Sequence, residues 1–415
     1  LVSYKYDQKN DVSKQKSLSL PDDNGENKTS RHYPPDLPHD NAVKKNSPSQ
    51  PHTLSHDNDG KYSDLNLKDL CILSRRVDDE LAMLLMDDAP LSVILKTLSE
   101  KHEALTRSVI MASEQEMADE GMGYPPLTYC WINMGSAARH EQTLRSDQDN
   151  AMIYADPEQK KDDTPDKKRE VDRYFELLSK KIVNGLNSCG FALCRGDVMA
   201  TNPKWRKSLT SWMESLENWS GSFDPEDTRS MTIFLDFRPV WGDFTLAEKL
   251  WEKIVHHCNE SDMITHMLAD DELKNSNPIT LLGRIRTKRS GPFKDQVNLK
   301  TAGLVHIVNA LRIYALKHNI KEASTLGRIE QLSSKKVIST EETTVLTSAF
   351  ETLTMLRLTT NIRKIREDSL PDDFVYPSRL TPSQRASLKD ALSSVHGIQK
   401  MLSRDFTLPW INFFS

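Results

Sequence analysis

The chain has 415 residues, 37% of them hydrophobic and 28% charged, with a formal net charge of −5. That length suits about two or three globular units, and the acidic balance argues against tight, unspecific nucleic-acid binding, which rests on cationic surface. No apolar run approaches membrane-spanning length and no signal peptide is visible, so no membrane role is expected.

Residues 1–62 are polar and rich in Asn, Asp, Ser, Lys and Pro. Such a segment cannot bury enough apolar surface to offset its ordering entropy, and it reads as a disordered linker or tail. The chain begins with Leu1 rather than methionine, as a fragment that has lost an upstream sensor module would. Residues 63–122 form an N-terminal helical segment. Leu70, Ile72, Leu73, Val77, Leu81, Leu84 and Leu85 recur at helix spacing, and a second helical stretch runs from Leu91 to Met117. Gly121, Gly123 and Pro125-Pro126 end it.

Residues 123–261 carry the core. Leu127 to Met134 and Asp147 to Tyr154 read as strands, with a charged loop over 156–170. Tyr174, Leu177, Leu178, Ile182 and Leu186 mark an amphipathic helix with Gly190 just past its end. Phe191 to Cys194 reads as a short strand. Trp205, Leu209, Trp212, Met213, Leu216 and Trp219 repeat at helix spacing, an aromatic stripe better explained by core packing than by base stacking. Residues 231–237, Met-Thr-Ile-Phe-Leu-Asp-Phe, are β-rich, and a helix follows around Leu246 to Cys258. Alternating strands and helices imply an α/β sheet domain.

Residues 262–415 read as a C-terminal helical domain. Leu299 to Leu316 is strongly apolar, and Val345 to Leu358 and Leu388 to Leu402 repeat at helix spacing. Ser339 with Glu342, and Thr381 with Gln384, have capping-box spacing, and Pro382 suits a first helical turn. Arg284, Arg286, Lys288, Arg289 and Lys294 cluster near Gly283 and Gly291 and read as a solvated loop. His256, His257 and His266 lack metal-ligand spacing. The five cysteines, Cys71, Cys130, Cys189, Cys194 and Cys258, form no C-x-x-C and read as reduced, partly buried thiols of a cytoplasmic protein.

Chemistry concentrates at Met134-Gly135-Ser136, ten residues, then Asp147-Gln148-Asp149. Residues two apart on a strand project from one face. Two carboxylates held together resist ionising unless a cation is present, and magnesium is the usual hard ion beside phosphates. Gly135 lets the backbone approach phosphate oxygens, and Ser136 adds a hydroxyl and an amide. Arg139 and Arg145 are placed to pair with phosphate charge, with Glu141 orienting an arginine. Asp236, an acid in an apolar run, needs a metal or an ion-pair partner, Arg238 being the local one.

Apolar-Gly-Ser, about ten residues, Asp-x-Asp and a later strand aspartate resembles the DNA polymerase β-type nucleotidyltransferase superfamily. The fuller string from Gly135 through Arg139, Glu141, Asp147 and Asp149 to Asn150 resembles the nucleotidyltransferases related to the N-terminal region of protein-PII uridylyltransferase. Gly196 to Arg206, Phe234 to Asp243 and Asn298-Leu-Lys300-Thr-Ala-Gly303-Leu304 agree with that family, over roughly residues 65 to 410. Three positions depart from its pattern: Gln148 between the aspartates, Ala302 for a first glycine, and Val305-His306 for Arg-Asp.

The resemblance implies an α+β fold, a polymerase β-like core flanked by the N-terminal helices and a C-terminal helical bundle covering one side of the nucleotide cleft. It implies that Asp147, Asp149 and Asp236 hold Mg2+ or Mn2+, that Gly135 and Ser136 contact a nucleoside triphosphate, and that Lys300 lies near the nucleotide. The implied reaction moves UMP or AMP to a hydroxyl on a regulatory protein. Family members often carry cyclic-nucleotide-binding or CBS modules upstream. The alternatives are a non-catalytic nucleotide-sensing regulator and a transferase acting on nucleic-acid ends, the latter disfavoured by the acidic charge.

Overall fold

A computed structural model of the chain describes residues 67–406 apart from 144–146, 158–164, 223, 277, 281–282 and 368. The expected tail, 1–62, and Arg145 lie outside the described residues.

Helix α1 (Leu67–Met86) packs on α2 (Leu91–Asp119). The buried residues of α2 include Leu91, Ile94, Leu95, Leu98, Leu105, Val109 and Met117, the three- and four-residue spacing of one helical face. A four-stranded sheet follows, with β1 (Tyr129–Met134), β2 (Asn150–Tyr154), β3 (Arg206–Ser208) and β4 (Phe237–Gly242) in the order β3-β2-β1-β4. β1 is antiparallel to both β2 and β4, whereas β2 and β3 are parallel.

Every residue of β1 and β2 is buried, so both faces of the sheet centre are covered. The period-2 alternation sorts their side chains between two cores. Tyr129, Trp131, Met152 and Tyr154 pack with Leu105 and Val109 of α2 and with Phe175 and Leu178 of α4 (Pro165–Ser188). Cys130, Ile132, Met134, Ala151 and Ile153 face the opposite core. There they meet Trp212 of α5 (Leu209–Ser220), Phe234 of α6 (Pro225–Phe234) and Leu250 of α7 (Phe244–Glu260). Trp205, Trp212 and Trp219 lie 6.0–6.2 Å from one another, and Trp212 stacks on Phe234 at 4.6 Å. The aromatic stripe is therefore core.

The structure moves several boundaries. The strand expected from Asp147 begins at Asn150, and Phe191 to Cys194 is reduced to a single bridge between Leu193 and Gln148. The larger correction is at 231–237, which is not a strand. Residues through Phe234 are helical, and β4 starts only at Phe237. Local capping outweighs β-propensity here. Asp224 caps α6 by accepting from the Glu226 N–H at 2.7 Å, Pro225 fills the first turn, and Glu226 and Asp227 complement the helix dipole. Thr228, Ser230 and Thr232 satisfy their hydroxyls on carbonyls four residues back.

The C-terminal part is helical: α8 (Met263–Leu273), α9 (Val305–Lys317), α10 (Thr325–Ser334), α11 (Thr340–Arg366) and α12 (Pro382–Phe406). A two-stranded antiparallel ribbon, β5 (Val297–Asn298) with β6 (Phe374–Val375), leads into a π-helical turn, Lys300–Leu304, ahead of α9. Ser339 and Glu342 form the expected reciprocal capping box of α11. Thr381 and Gln384 do the same for α12, at 3.1 and 3.2 Å. Among the described residues no helix is long and apolar enough to cross a membrane.

Candidate functional site

At the end of β1 the chain turns into α3, a single turn over Gly135–Ala138. Two successive amides fix this corner. The Met134 N–H donates to the Asp149 carbonyl at 2.9 Å, and the Gly135 N–H donates to the Asp236 carbonyl at 3.0 Å. Gly135 has φ +58, and a Cβ placed on it would sit 3.0 Å from Asp149 Oδ2. Glycine suits the left-handed conformation and leaves room for the Asp149 carboxylate beside the turn.

Within Asp147-Gln148-Asp149-Asn150 the acids and amides divide by face. Asp147 is exposed and Asp149 half-buried, while Gln148 and Asn150 are buried. Gln148 replaces the family's apolar residue without leaving an orphan. Its Nε2 donates to the Val183 and Phe191 carbonyls at 3.1 and 3.2 Å, and its Oε1 accepts from Asn150 Nδ2 at 3.2 Å. Asn150 Oδ1 in turn accepts the Ala200 N–H at 2.9 Å. This amide pair locks the segment against α4 and leaves the carboxylates outward.

Burial pushes the Asp149 carboxyl above the usual range, and Asp147 adds to this. A Cys194 hydrogen bond and the Lys300 and Arg139 charges act the other way. Cys194 is itself pushed up to about 12 by burial and by Asp149, so it is a thiol donor rather than a thiolate. Lys300 is exposed, and its charge reaches Asp149 from the π-helical turn. It is the one predicted site residue supplied by the C-terminal part. Oxygen donors, mutual repulsion and a glycine cradle fit a hard divalent cation held by Asp147 and Asp149.

Asp236 does not join them. It is fully buried, and both carboxylate oxygens are taken by guanidinium groups. Oδ2 accepts from Arg139 Nη1 at 2.7 Å and Arg312 Nη2 at 2.5 Å, and Oδ1 accepts from Arg328 Nη2 at 2.6 Å. Burial alone would raise its pKa, but Arg312, Arg328 and Arg139 together hold it far below the carboxylate range. The sequence expectation places metal on Asp236, whereas here both of its oxygens accept from guanidinium groups. Arg238, the partner suggested by proximity, instead donates to the Ala138 carbonyl at 2.7 Å. Among the described residues no group of three or more His, Cys, Asp or Glu is arranged to hold a metal.

Arg139 is held inside the protein, and Glu141 orients it. Arg139 binds Asp236 and, through Nε at 2.7 Å, Glu141, so its fork is committed inside the protein. Glu141 is 7% exposed and accepts the Thr325 N–H at the start of α10 at 2.6 Å. It orients Arg139 rather than touching a nucleotide. Ser136, half-buried, sits on the turn beside Gly135, and its carbonyl accepts the Glu141 N–H at 2.9 Å. The basic residues from Arg284 to Lys294 are exposed, and His266 is half-buried and hydrogen-bonds with the Phe406 carbonyl.

Sequence reasoning missed Cys194, Arg312 and Arg328. Nothing local marks Cys194. Arg312 carried a readable signal, an arginine inside the apolar run 299–316, because a buried arginine requires an anion. A separate cleft of about 330 Å³ beside β4 and α7 is lined by Phe237, Phe244, Trp251, Lys321 and Glu322. None of the predicted site residues lines it, although Leu235 and Phe237, which do, flank Asp236.

Two family models match the chain. One, described as "Putative nucleotidyltransferase DUF294", matches residues 75–226. The other, described as "Putative nucleotidyltransferase substrate binding domain", matches residues 262–406. Together they cover well over half of the chain. The first contains Gly135, Asp147 and Asp149, and the second contains Lys300, Arg312 and Arg328. No curated protein matches it.

Proposed function

The chain belongs to the DUF294 nucleotidyltransferase family, and from that premise we propose that it transfers UMP or AMP from a nucleoside triphosphate to a hydroxyl on a regulatory protein, releasing pyrophosphate. The observation that carries this reading is the Asp149 carboxylate seated beside the side-chain-free Gly135, with Asp147 near enough for its charge to act on it. Asp147 and Asp149 would hold Mg2+ or Mn2+. Divalent ions there supply charge stabilisation for the attacking and leaving oxygens. The Gly135-Ser136 turn lies where phosphate oxygens meet the backbone, and Lys300 approaches from the C-terminal domain to pair with triphosphate charge. In this reading Asp236 is an anchor rather than the acceptor's base, because both of its oxygens accept from guanidinium groups.

The capture of Asp236 favours a second reading, a non-catalytic regulator that binds nucleotide as a signal through the same pocket. Calorimetry separates the possibilities. The four nucleoside triphosphates with Mg2+, and their non-hydrolysable analogues, are titrated into wild type and an Asp147→Asn/Asp149→Asn double variant. Metal-dependent binding lost in the variant, followed by pyrophosphate release with a protein acceptor, is the expected result. Binding with no turnover against any acceptor would select the regulator. No binding by folded wild type would reject both.

A further inference from the structure

The Asp236 cluster joins the two matched domains at one point. Arg139 belongs to the turn after β1, Arg312 to α9 and Arg328 to α10. The network continues outward, since Arg312 Nη1 donates to Asn309 Oδ1 at 2.7 Å and Asn309 Nδ2 to Glu272 Oε2 at 2.7 Å. His306 also pairs with Glu272. Arg328 Nε donates to the Glu322 carbonyl at 2.7 Å. Arg312 and Arg328 are 6% and 3% exposed, so these links are not surface pairs with negligible consequence.

Asp236 grips the catalytic corner twice. Its carbonyl takes the Gly135 N–H, and its carboxylate takes Arg139, whose own N–H donates to the Gly135 carbonyl at 3.1 Å. Both ends of the α3 turn therefore hang on one residue, and α9 and α10 immobilise that residue. Met134, at the head of the turn, donates its N–H to the Asp149 carbonyl at 2.9 Å, and Asp149 Oδ2 occupies the space a Gly135 side chain would need, so a shift of the turn shifts the outward carboxylate.

We infer that Arg312 and Arg328 are positioning residues for the nucleotide site. Held by these two arginines, Asp236 fixes the Gly135 turn, and the turn fixes Asp149. The C-terminal domain thereby sets the geometry of the core's metal-facing carboxylate as well as supplying Lys300. The inference rests on the nucleotide-site reading above but can be tested apart from it.

The test uses the full chain carrying Arg328→Lys or Arg312→Lys, which keeps the charge and removes the planar fork. Arg357→Lys, affecting the Arg357–Asp373 pair at 2.5 Å elsewhere in the C-terminal domain, serves as control. One measurement is amide exchange of residues 129–141 in the ligand-free protein. The other is Mn2+-dependent binding of non-hydrolysable ATP and UTP analogues. Both site variants are expected to speed exchange over 129–141 and weaken binding by about tenfold. Exchange over 174–186 should stay unchanged, and the control should resemble wild type. If loosening the arginines instead tightens Mn2+ binding, Asp236 is a ligand being released from its cage, and the inference fails. Uniformly faster exchange with wild-type affinity in the folded fraction would reduce the arginines to a structural role, and it fails again. Should wild type bind no nucleotide, the nucleotide reading falls. The exchange measurement then still decides whether the arginines hold the turn, and unchanged exchange over 129–141 refutes it.

Discussion

Asp149 and Asp236 both hold the corner at Gly135, their carbonyls accepting the Met134 and Gly135 N–H groups, yet the surroundings of their carboxylates drive them in opposite directions. Asp149 has lost water without gaining a full counter-charge. A thiol, a lysine at a distance and a second aspartate surround it, and its pKa rises. Asp236 has lost all water but gained three guanidinium groups, and its pKa falls. Burial is common to both, so the partners decide. A carboxylate left short of positive charge is prepared for a cation, and one saturated with it is a structural anchor.

The largest effect should come from removing the anchor. Asp236→Ala leaves Arg139, Arg312 and Arg328 buried without their common anion and should cost about 3–5 kcal/mol. Chemical denaturation would read this as a lower midpoint at unchanged slope. A loss below about 1 kcal/mol would mean that the three pairs offset only their own desolvation, erasing the contrast with Asp149. Next is Gly135→Ala. A φ of +58 penalises any side chain by roughly 1–2 kcal/mol, and the new methyl presses on Asp149 Oδ2. Nucleotide affinity should fall on the order of tenfold or more with the fold retained. Wild-type affinity in this variant would show that the glycine contact does not shape the site.

Gln148→Leu addresses the inward face of the same segment. It restores the family's apolar residue but strips donors from the Val183 and Phe191 carbonyls and an acceptor from Asn150, at a cost of about 1–3 kcal/mol. Thermal unfolding would register it, and neutrality would mean that the amide pair is dispensable.

The pattern of what was legible follows the range of the contacts. Caps are local, so Ser339 with Glu342 and Thr381 with Gln384 were readable from spacing alone. So was the Gly135-Ser136 turn at the end of an apolar strand, whereas Asp147 and Asp149 lie just ahead of β2 rather than within it. Asp236 was legible as a residue needing a partner, but its partners lie 76, 92 and 97 positions away. No local pattern announces a contact at that range. The helix through Phe234 is hidden for a different reason: the β-branched and aromatic residues at 231–234 suit a strand, and the start signal, Asp224-Pro225, lies upstream of them. Arg139 is suited by charge and position to a phosphate, and only the fold shows its side chain turned to Asp236 and Glu141 instead.

The smallest effect is the most direct test of the contrast, because it has the opposite sign. A group whose folded pKa is raised favours folding only while protonated. Asp149's contribution is therefore fully present below the ordinary aspartate range and is lost as pH rises through its elevated folded pKa. At neutral pH and without divalent ions, the ionised Asp149 should cost stability, and Asp149→Asn should raise the melting temperature slightly. Asp236 behaves inversely. Its contribution is present above the ordinary aspartate range and is lost only under strong acid, as pH falls through its lowered folded pKa. Melting temperatures of wild type and Asp149→Asn from neutral pH down to the aspartate range, with and without Mn2+, would separate the two. The variant should gain most at neutral pH without metal, lose that advantage as pH falls, and lose it also when Mn2+ stabilises wild type alone. A variant less stable than wild type at neutral pH without metal would mean that Cys194 and Lys300 already satisfy the charge, and that Asp149 is an anchor of the same kind as Asp236.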